Sequence, residues 1–256
     1  MIKVQSPKFN KESAIKYLKN ELIFQKIIKL TNNERIKPDY IDLARIHKII
    51  RKYKIFTSLE FGIGYSTFII SDALYKNKIE FEENKNNKII KKNNMFENFC
   101  VDSSKKWIDA FKNDFKTHSF KKNTIINYSS VYLDKFNNKI CTFYRKIPSI
   151  LPDFIYIDAP HSKDVKNKLE NIDYTNNDFP VMSADVLKFE NYLLPGCIIL
   201  IDGRNTNARF LKDNLSRNWI YYESYEQAIC LLYLNEKPIG LRNYNYLQYK
   251  FSLKNK

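Results

Sequence analysis

A short glycine-containing turn constrains the fold of this chain more than any other segment. It holds Gly62 and Gly64, two of only five glycines among 256 residues, and it follows an apolar segment that reaches Glu60. Ser66 comes next, ahead of the apolar run 68–70. Glycine permits positive φ and close backbone approach, and serine caps helices. The pattern predicts a buried strand, a tight turn and a helix whose free N–H groups favour a polar or anionic ligand; an ordinary strand-to-helix turn is the alternative.

Acidic residues end four apolar, strand-like segments of the chain. They are Glu60, Asp102, Asp158 and Asp202, and helical segments separate them. Strands that alternate with helices indicate a largely parallel sheet, and fully apolar strands suit a sheet covered on both faces. Ligands bind at the carboxyl ends of the strands in such sheets. We therefore expect all four acids at one edge, where they form a ligand site.

Three further segments complete the predicted organisation. Residues 1–55 contain two amphipathic helices, the second beginning near Pro38, and form a cap or a dimer surface. Residues 56–240 form the main domain, with a solvated Lys/Asn-rich insertion at 76–96 after a helix over about 67–75. A third strand is predicted at 125–131, and a terminal antiparallel hairpin at 219–234. Residues 241–256 are predicted to be a basic tail.

Composition limits the function classes. The formal net charge is +15, which invites a nucleic-acid partner, but only eight of the 43 basic residues are arginines. A bias toward Lys and Asn explains the charge better than selection for phosphate binding, so nucleic acid is not favoured. No apolar run approaches the roughly 20 residues of a membrane span, and no signal-peptide core is evident. We expect a cytoplasmic protein without a membrane span, and its four cysteines as core thiols.

The segment Glu60-x-Gly62-x-Gly64-x-Ser66 resembles the first motif of class I S-adenosylmethionine-dependent methyltransferases, and the resemblance covers residues 56–236. Asp102 is similar to the acid that holds the ribose hydroxyls in that family. The resemblance implies an α/β, Rossmann-like fold with a seven-stranded, mostly parallel sheet, a C-terminal antiparallel hairpin and additional N-terminal helices. It implies S-adenosylmethionine contacts at Glu60, Gly62, Gly64, Ser66, Asp102, Ser103 and Ser130.

Two later segments resemble small O-methyltransferases that act on sugars, catechols or natural products. They are Asp158-Ala159-Pro160-His161 and the segment 194–204, which ends in Asp202-Gly203-Arg204. Residues 180–215 are also similar to uncharacterised proteins of surface-polysaccharide gene clusters. The resemblance predicts methyl transfer to a hydroxyl of a small polar acceptor such as a sugar or glycan unit.

The predicted reaction assigns roles to the loops after the fourth and fifth predicted strands. Removing a proton from a hydroxyl needs a base or a metal. His161 and Asp158 are the predicted catalytic residues, with His161 as the base; a loop or cap histidine is the alternative, and Asp158 can orient the imidazole, act as the base itself or contact the methyl donor. Arg204 is predicted either to bind the acceptor or to pair with Asp158 or Asp202 and hold the loops. Asn205 is predicted either to bind the acceptor or to cap the helix that follows. Asp158 and Asp202 can hold Mg²⁺ with waters and substrate oxygens.

Two other functions stay open at this level. The basic N-terminal helices suggest an RNA methyltransferase, and a non-catalytic, methyltransferase-like scaffold is the third hypothesis. A homodimer through the N-terminal helices is compatible with each of the three hypotheses.

Overall fold

The computed structural model describes residues 4–21, 24–25, 27–28, 37–83, 89–115, 119–174 and 179–251. Two helices that are described over their whole length precede the first strand: α1 (Lys11–Lys19) and α2 (Tyr40–Lys52). The Asn10 side chain caps α1, and Asp39 Oδ1 caps α2 by accepting a hydrogen bond from the Ile41 N–H at 2.8 Å. Within the described residues, no helix combines the length and apolarity that a membrane crossing requires.

Seven strands form one sheet in the order β3-β2-β1-β6-β7-β9-β8. All neighbours pair in parallel except β9, which is antiparallel to both β7 and β8. This arrangement confirms the predicted α/β fold with its C-terminal antiparallel hairpin. The strands are β1 (Thr57–Phe61), β2 (Glu97–Asp102), β3 (Thr124–Tyr128), β6 (Phe154–Ile157), β7 (Ile198–Asp202), β8 (Trp219–Ser224) and β9 (Ile229–Leu234). A separate hairpin pairs β4 (Val131–Phe136) with β5 (Lys139–Tyr144).

Helices cover both faces of the sheet. Successive side chains of a strand point to opposite faces, so Phe154 and Tyr156 of β6 join one core and Ile155 and Ile157 join the other. The first core lies beneath α1, α2 and the long helix that follows β1, and apolar side chains of α1 and α2 belong to it. The remaining helices are α3 (Tyr65–Glu83), α4 (Lys105–Phe115), α5 (Asp185–Phe189), α6 (Asn205–Asn214) and α7 (Gly240–Phe251). All four cysteines are buried and free, as predicted.

The predicted third strand over 125–131 is divided in the structure. Strand β3 ends at Tyr128, and Val131 already belongs to the separate hairpin. Ser129 makes the turn: its N–H donates to the Asp102 carbonyl at 2.9 Å, and its hydroxyl accepts from the Lys146 N–H at 2.8 Å. Partners of Ser129 that are 27 and 17 residues away in the chain therefore divide the predicted strand.

The predicted insertion over 76–96 begins later than expected, because α3 continues to Glu83. Asn77 is buried in this extension and donates through Nδ2 to the carbonyls of Ile50 and Ile55, at 3.0 and 2.9 Å. The asparagine thus ties α3 to the end of α2. Residues 84–88 of the predicted insertion lie outside the described residues.

The predicted basic tail over 241–256 is a packed helix up to Phe251, and residues 252–256 lie outside the described residues. Lys250 of α7 is 1% exposed, and its Nζ donates to the Gly196 carbonyl at 2.6 Å. The Tyr246 hydroxyl donates to the buried carboxylate of Asp153. Lys250 and Tyr246 of the predicted basic tail are therefore anchors at the amino ends of the strands.

Asp153 is the polar centre of this anchor. Its carboxylate accepts from the N–H groups of Phe56 and Thr57, at 2.9 and 2.7 Å, and pairs with Lys92 at 2.6 Å. The positive charges of Lys92 and Lys250 lower the pKa of Asp153, although burial opposes them. The carboxylate is thus ionised and fully engaged.

We predict that Asp153→Ala lowers the free energy of unfolding by about 3–5 kcal/mol, because it leaves buried cations uncompensated and two backbone N–H groups without an acceptor. Urea denaturation measures this loss. Asp213→Ala, on the exposed surface of α6, is the matched control and should change stability by less than about 0.5 kcal/mol. Equal effects of the two substitutions would show that Asp153 does not anchor α7.

Candidate active site

The register of the central strands brings three of the four predicted acids together. Phe61 of β1 pairs with Val101 of β2 and Ile157 of β6, and Ile157 pairs with Ile201 of β7. The next residue of each strand therefore lies in one row at the carboxyl edge of the sheet. This row consists of Gly62, Asp102, Asp158 and Asp202.

A cavity of about 440 Å³ opens at this row. Its volume is in the range of small-molecule sites. Nine of the predicted site residues line it: Gly62, Gly64, Ser66, Asp102, Ser103, Asp158, His161, Asp202 and Arg204. Three others, although described, lie outside its lining: Glu60, Ser130 and Asn205.

The two glycines of the turn have different structural roles. Gly62 has φ of +120°, which other residues rarely adopt, and a Cβ there would lie 3.4 Å from the Cβ of Ala159. Gly64 has no atom within 4 Å of the position that a Cβ would take. Gly62 is therefore required by the turn itself, whereas Gly64 keeps space open beside the first turn of α3.

Glu60 lies one residue inside the strand end and is fully buried. The Ser66 hydroxyl donates to its Oε1 at 2.6 Å, and Asn98 Nδ2 donates to its Oε2 at 3.2 Å. Burial raises the pKa of Glu60 to about 7, although these hydrogen bonds lower it. Glu60 thus holds Ser66 at the cavity wall, and its own side chain does not line the cavity, so the cofactor contact predicted for Glu60 stays a prediction.

Asp102 forms one end of the cavity. The Ser104 N–H donates to its Oδ1 at 2.6 Å, and burial raises its pKa to about 6. The neighbouring Ser103 hydroxyl donates to Asp164 Oδ2 at 2.9 Å. Trp107, on the first turn of α4, also lines the cavity and is 42% exposed. Sequence reasoning missed Trp107 and Asp164, although an apolar ring one turn beyond a helix cap was a usable signal.

Helix α2 contributes a wall of the cavity, whereas the sequence predicted a cap or a dimer surface for residues 1–55. Asp39 and Asp42 both line the cavity. The Tyr156 hydroxyl of β6 donates to Asp42 Oδ2 at 2.8 Å, and Arg45 Nη1 donates to Asp42 Oδ1 at 3.3 Å. Burial, followed by the charge of Asp202, raises the pKa of Asp42 well above its usual range. A charged pair within the apolar face of α2 was the available signal.

Arg45 links this wall to the sheet edge. It is 1% exposed, and its Nη1 lies 3.7 Å from Asp202 Oδ1. Burial raises the pKa of Asp202 to about 6, which the charge of Arg45 opposes and that of Asp158 reinforces. Asp202 is therefore mainly ionised at neutral pH and still retains appreciable basicity.

Arg204 organises the loop after β6. Its guanidinium donates to the carbonyls of Asp158 and Pro160, at 2.6 and 3.1 Å, and its Nε lies 3.6 Å from Asp158 Oδ1. The predicted acceptor-binding arginine is thus already engaged with the protein. It fixes the loop that carries Asp158 and His161.

The predicted Mg²⁺ ligands fit a cation poorly. Asp158 and Asp202 each have a guanidinium within 4 Å, from Arg204 and Arg45 respectively. A Mg²⁺ ion there would have to compete with two fixed positive charges. In the described part of the chain, the residues with metal-ligand spacing are Glu21, His47 and Asp72, and Lys76 pairs with both of those acids.

His161 caps the short 3₁₀ turn Ser162–Asp164. Its Nδ1 accepts a hydrogen bond from the Lys163 N–H at 3.1 Å. A neutral imidazole has one acceptor nitrogen, so with Nδ1 engaged the proton resides on Nε2. In this tautomer Nε2 is an N–H donor, and the one acceptor nitrogen of His161 is engaged rather than free for the predicted role of base.

Ser130 and Asn205 are not brought to the cavity wall. The Ser130 carbonyl accepts from the Arg145 N–H at 2.9 Å, where β3 gives way to the separate hairpin. Asn205 begins α6, and its side-chain oxygen lies 3.8 Å from Cys230 Sγ. These contacts place Ser130 and Asn205 in local structure outside the cavity lining.

No family model and no curated protein matches the sequence. Among solved structures, the chain is similar to the S-adenosylhomocysteine (SAH)-bound methyltransferase PaMTH1 of Podospora anserina, at 12% identity over 91% of this chain and 100% of that one, with a TM-score of 0.49. It is also similar to a Bacillus cereus O-methyltransferase in complex with SAH, at 10% identity over 86% and 96%, with a TM-score of 0.46. A putative caffeoyl-CoA O-methyltransferase of Staphylococcus aureus gives 15% identity over 87% and 99%, with a TM-score of 0.43. Because these TM-scores lie below 0.5, the function of this chain has to be argued from its own residues.

The buried carboxyl group of Glu60 makes stability depend on pH. Its folded-state pKa of about 7 exceeds the ordinary value of 4.5. The folded state favours the protonated carboxyl group. The resulting contribution to the free energy of unfolding is fully present below pH 4.5 and is lost as the pH rises through 7. We predict that, from pH 5 to pH 8, wild type loses about 2–3 kcal/mol more unfolding free energy than Glu60→Gln.

Urea denaturation across this pH range measures the difference. Glu82→Gln, at an exposed position of α3, is the control and should follow the wild-type pH dependence. Parallel curves for wild type and Glu60→Gln would contradict the raised pKa.

Proposed function

We propose that this chain is an S-adenosylmethionine-dependent O-methyltransferase that acts on a hydroxyl of a small polar acceptor, such as a sugar or glycan unit. One observation carries the proposal: the open glycine turn, Asp102 and the carboxylates Asp158 and Asp202 line a single cavity. When bound, S-adenosylmethionine supplies an electrophilic methyl group on a positively charged sulfur. The residues of this chain must therefore bind the donor, orient an oxygen and accept its proton.

The residues on the Gly62–Asp102 side fit the donor. The space beside Gly64 admits a ligand against the first turn of α3, where free N–H groups favour polar groups. The Asp102 carboxylate can accept hydrogen bonds from vicinal ribose hydroxyls, and Trp107 offers an apolar ring for a base. Carboxylates at the cavity wall also complement the positive charge of a sulfonium.

Asp202 is the proton acceptor in this proposal. A general base works best when its pKa lies near the operating pH, and burial raises the pKa of Asp202 to about 6. Asp158 and His161, the catalytic residues predicted from sequence, orient the acceptor instead. Arg204 fixes Asp158, and the Nε2–H of His161 donates to the acceptor oxygen. No step requires Mg²⁺.

The charge of the cavity favours a neutral acceptor. Apart from Asp42, whose pKa burial raises well above its usual range, five acids line it, Asp39, Asp102, Asp158, Asp164 and Asp202, against the cations Lys37 and Arg204. Phosphate groups are repelled by such a surface, whereas sugar hydroxyls donate readily to carboxylates. A glycan unit is therefore favoured over RNA or a sugar nucleotide. We propose a role in polysaccharide biosynthesis in the cytoplasm.

The two glycines of the turn separate donor binding from folding. Gly64→Val fills open space without backbone strain, so it should weaken SAH binding at least 100-fold with unchanged urea stability. Gly62→Ala forces alanine to a strained φ and should cost about 1–3 kcal/mol of unfolding free energy. Isothermal titration calorimetry and urea denaturation give the two readouts. If the Gly64→Val variant still binds SAH, the donor does not bind beside Gly64. That result would also reject a non-catalytic scaffold that binds the donor at this place.

The proton acceptor is tested by the pH profile of kcat at saturating donor with a glycan acceptor. We predict that wild-type kcat falls below about pH 6, because protonated Asp202 cannot accept a proton. Asp202→Asn should lower kcat by about 10²–10⁴-fold and remove this limb, while SAH affinity stays within threefold. His161→Gln should keep the limb and lose less than tenfold. The opposite pattern would identify His161 as the base.

A further inference from the structure

A second cavity lies at the opposite edge of the sheet. It measures about 990 Å³ and is formed by residues 90–95, 147–153, 192–195 and the first half of α7. Asp153 and Pro195, which come shortly before β6 and β7, place it at the amino ends of the parallel strands. It shares no lining residue with the candidate active site.

The walls of this cavity expose apolar side chains to solvent. Ile147 and Leu194 line it, together with Leu151, which is 44% exposed, and Tyr192, which is 70% exposed. Contiguous apolar surface in a concave site is typical of ligand-binding positions. The walls therefore suit an apolar chain or ring.

The charges of the cavity are unbalanced. Lys91, Lys92 and Arg242 line it, and Asp153 is the one acid among the lining residues. Lys92 already pairs with Asp153 at 2.6 Å. Lys91 and Arg242 form neither an ion pair nor a side-chain hydrogen bond with any described residue. Two cations are thus available beside an apolar wall, one on the loop before β2 and one on α7.

We infer that this cavity binds an anionic amphiphile: a phosphate or carboxylate group between Lys91 and Arg242, with an apolar body against Ile147 and Leu151. Arginine binds such oxyanions through paired N–H groups, and lysine adds a point charge. The ionised carboxylate of Asp153 is already engaged by Lys92 and by backbone N–H groups, so Lys91 and Arg242 are left to the ligand. The site is independent of the proposed methyl transfer.

Calorimetric titration of the full chain with dodecyl phosphate, below its micelle concentration, tests the proposal. We expect one equivalent to bind, at least tenfold more tightly than the neutral dodecyl maltoside and at least 100-fold more tightly than inorganic phosphate. The double variant Lys91→Gln/Arg242→Gln should lose at least tenfold in affinity. Lys16→Gln/Lys19→Gln, on the exposed face of α1, makes the same charge change and should bind as wild type.

Two results would overturn the inference: equal binding of dodecyl maltoside and dodecyl phosphate, or unchanged dodecyl phosphate affinity in Lys91→Gln/Arg242→Gln. Urea denaturation confirms that both double variants fold. A second arm identifies the source of the anion, through co-sedimentation with phosphatidylcholine vesicles that contain phosphatidic acid. Co-sedimentation that the Lys91→Gln/Arg242→Gln variant loses supports a membrane lipid; dodecyl phosphate binding without co-sedimentation supports a free amphiphile.

Discussion

The parallel register of β2, β1, β6 and β7 is the constraint on which the candidate site depends. Because Phe61, Val101, Ile157 and Ile201 lie in one row, the residue after each of them reaches the same edge. A slip of one residue would turn every side chain of a strand to the opposite face. Such a slip would exchange the side chains of two closely packed cores, so the fit of individual side chains holds the register and, with it, the positions of the acids.

Buried charge then connects the N-terminal helices to this edge. Arg45 of α2 lies between Asp42 and Asp202, and the Tyr156 hydroxyl completes the contact from β6. Removing one partner of such a buried group typically costs 3–5 kcal/mol. Helix α2 is therefore a wall of the site and part of its electrostatics, because it determines the charge around the proposed proton acceptor.

Much of this arrangement could be predicted from sequence, because apolar runs that end in Asp102, Asp158 and Asp202 carry local information about strand ends. The roles of Asp42 and Lys250 could not, since their partners Tyr156 and Gly196 are 114 and 54 residues away in the chain. His161 shows a different limit. Its position at the site was predictable, but the hydrogen bond from Lys163 that occupies Nδ1 depends on the conformation of one turn.

A crystal structure of the full chain with SAH tests the central claim most directly. We predict one molecule in the carboxyl-edge cavity, with its ribose hydroxyls on Asp102 and its amino acid portion beside Gly64. Asp202 should lie near the sulfur, with room for an acceptor hydroxyl between them. Density for SAH at any other position, or an empty cavity at millimolar ligand, would contradict the assignment of this edge as the donor site.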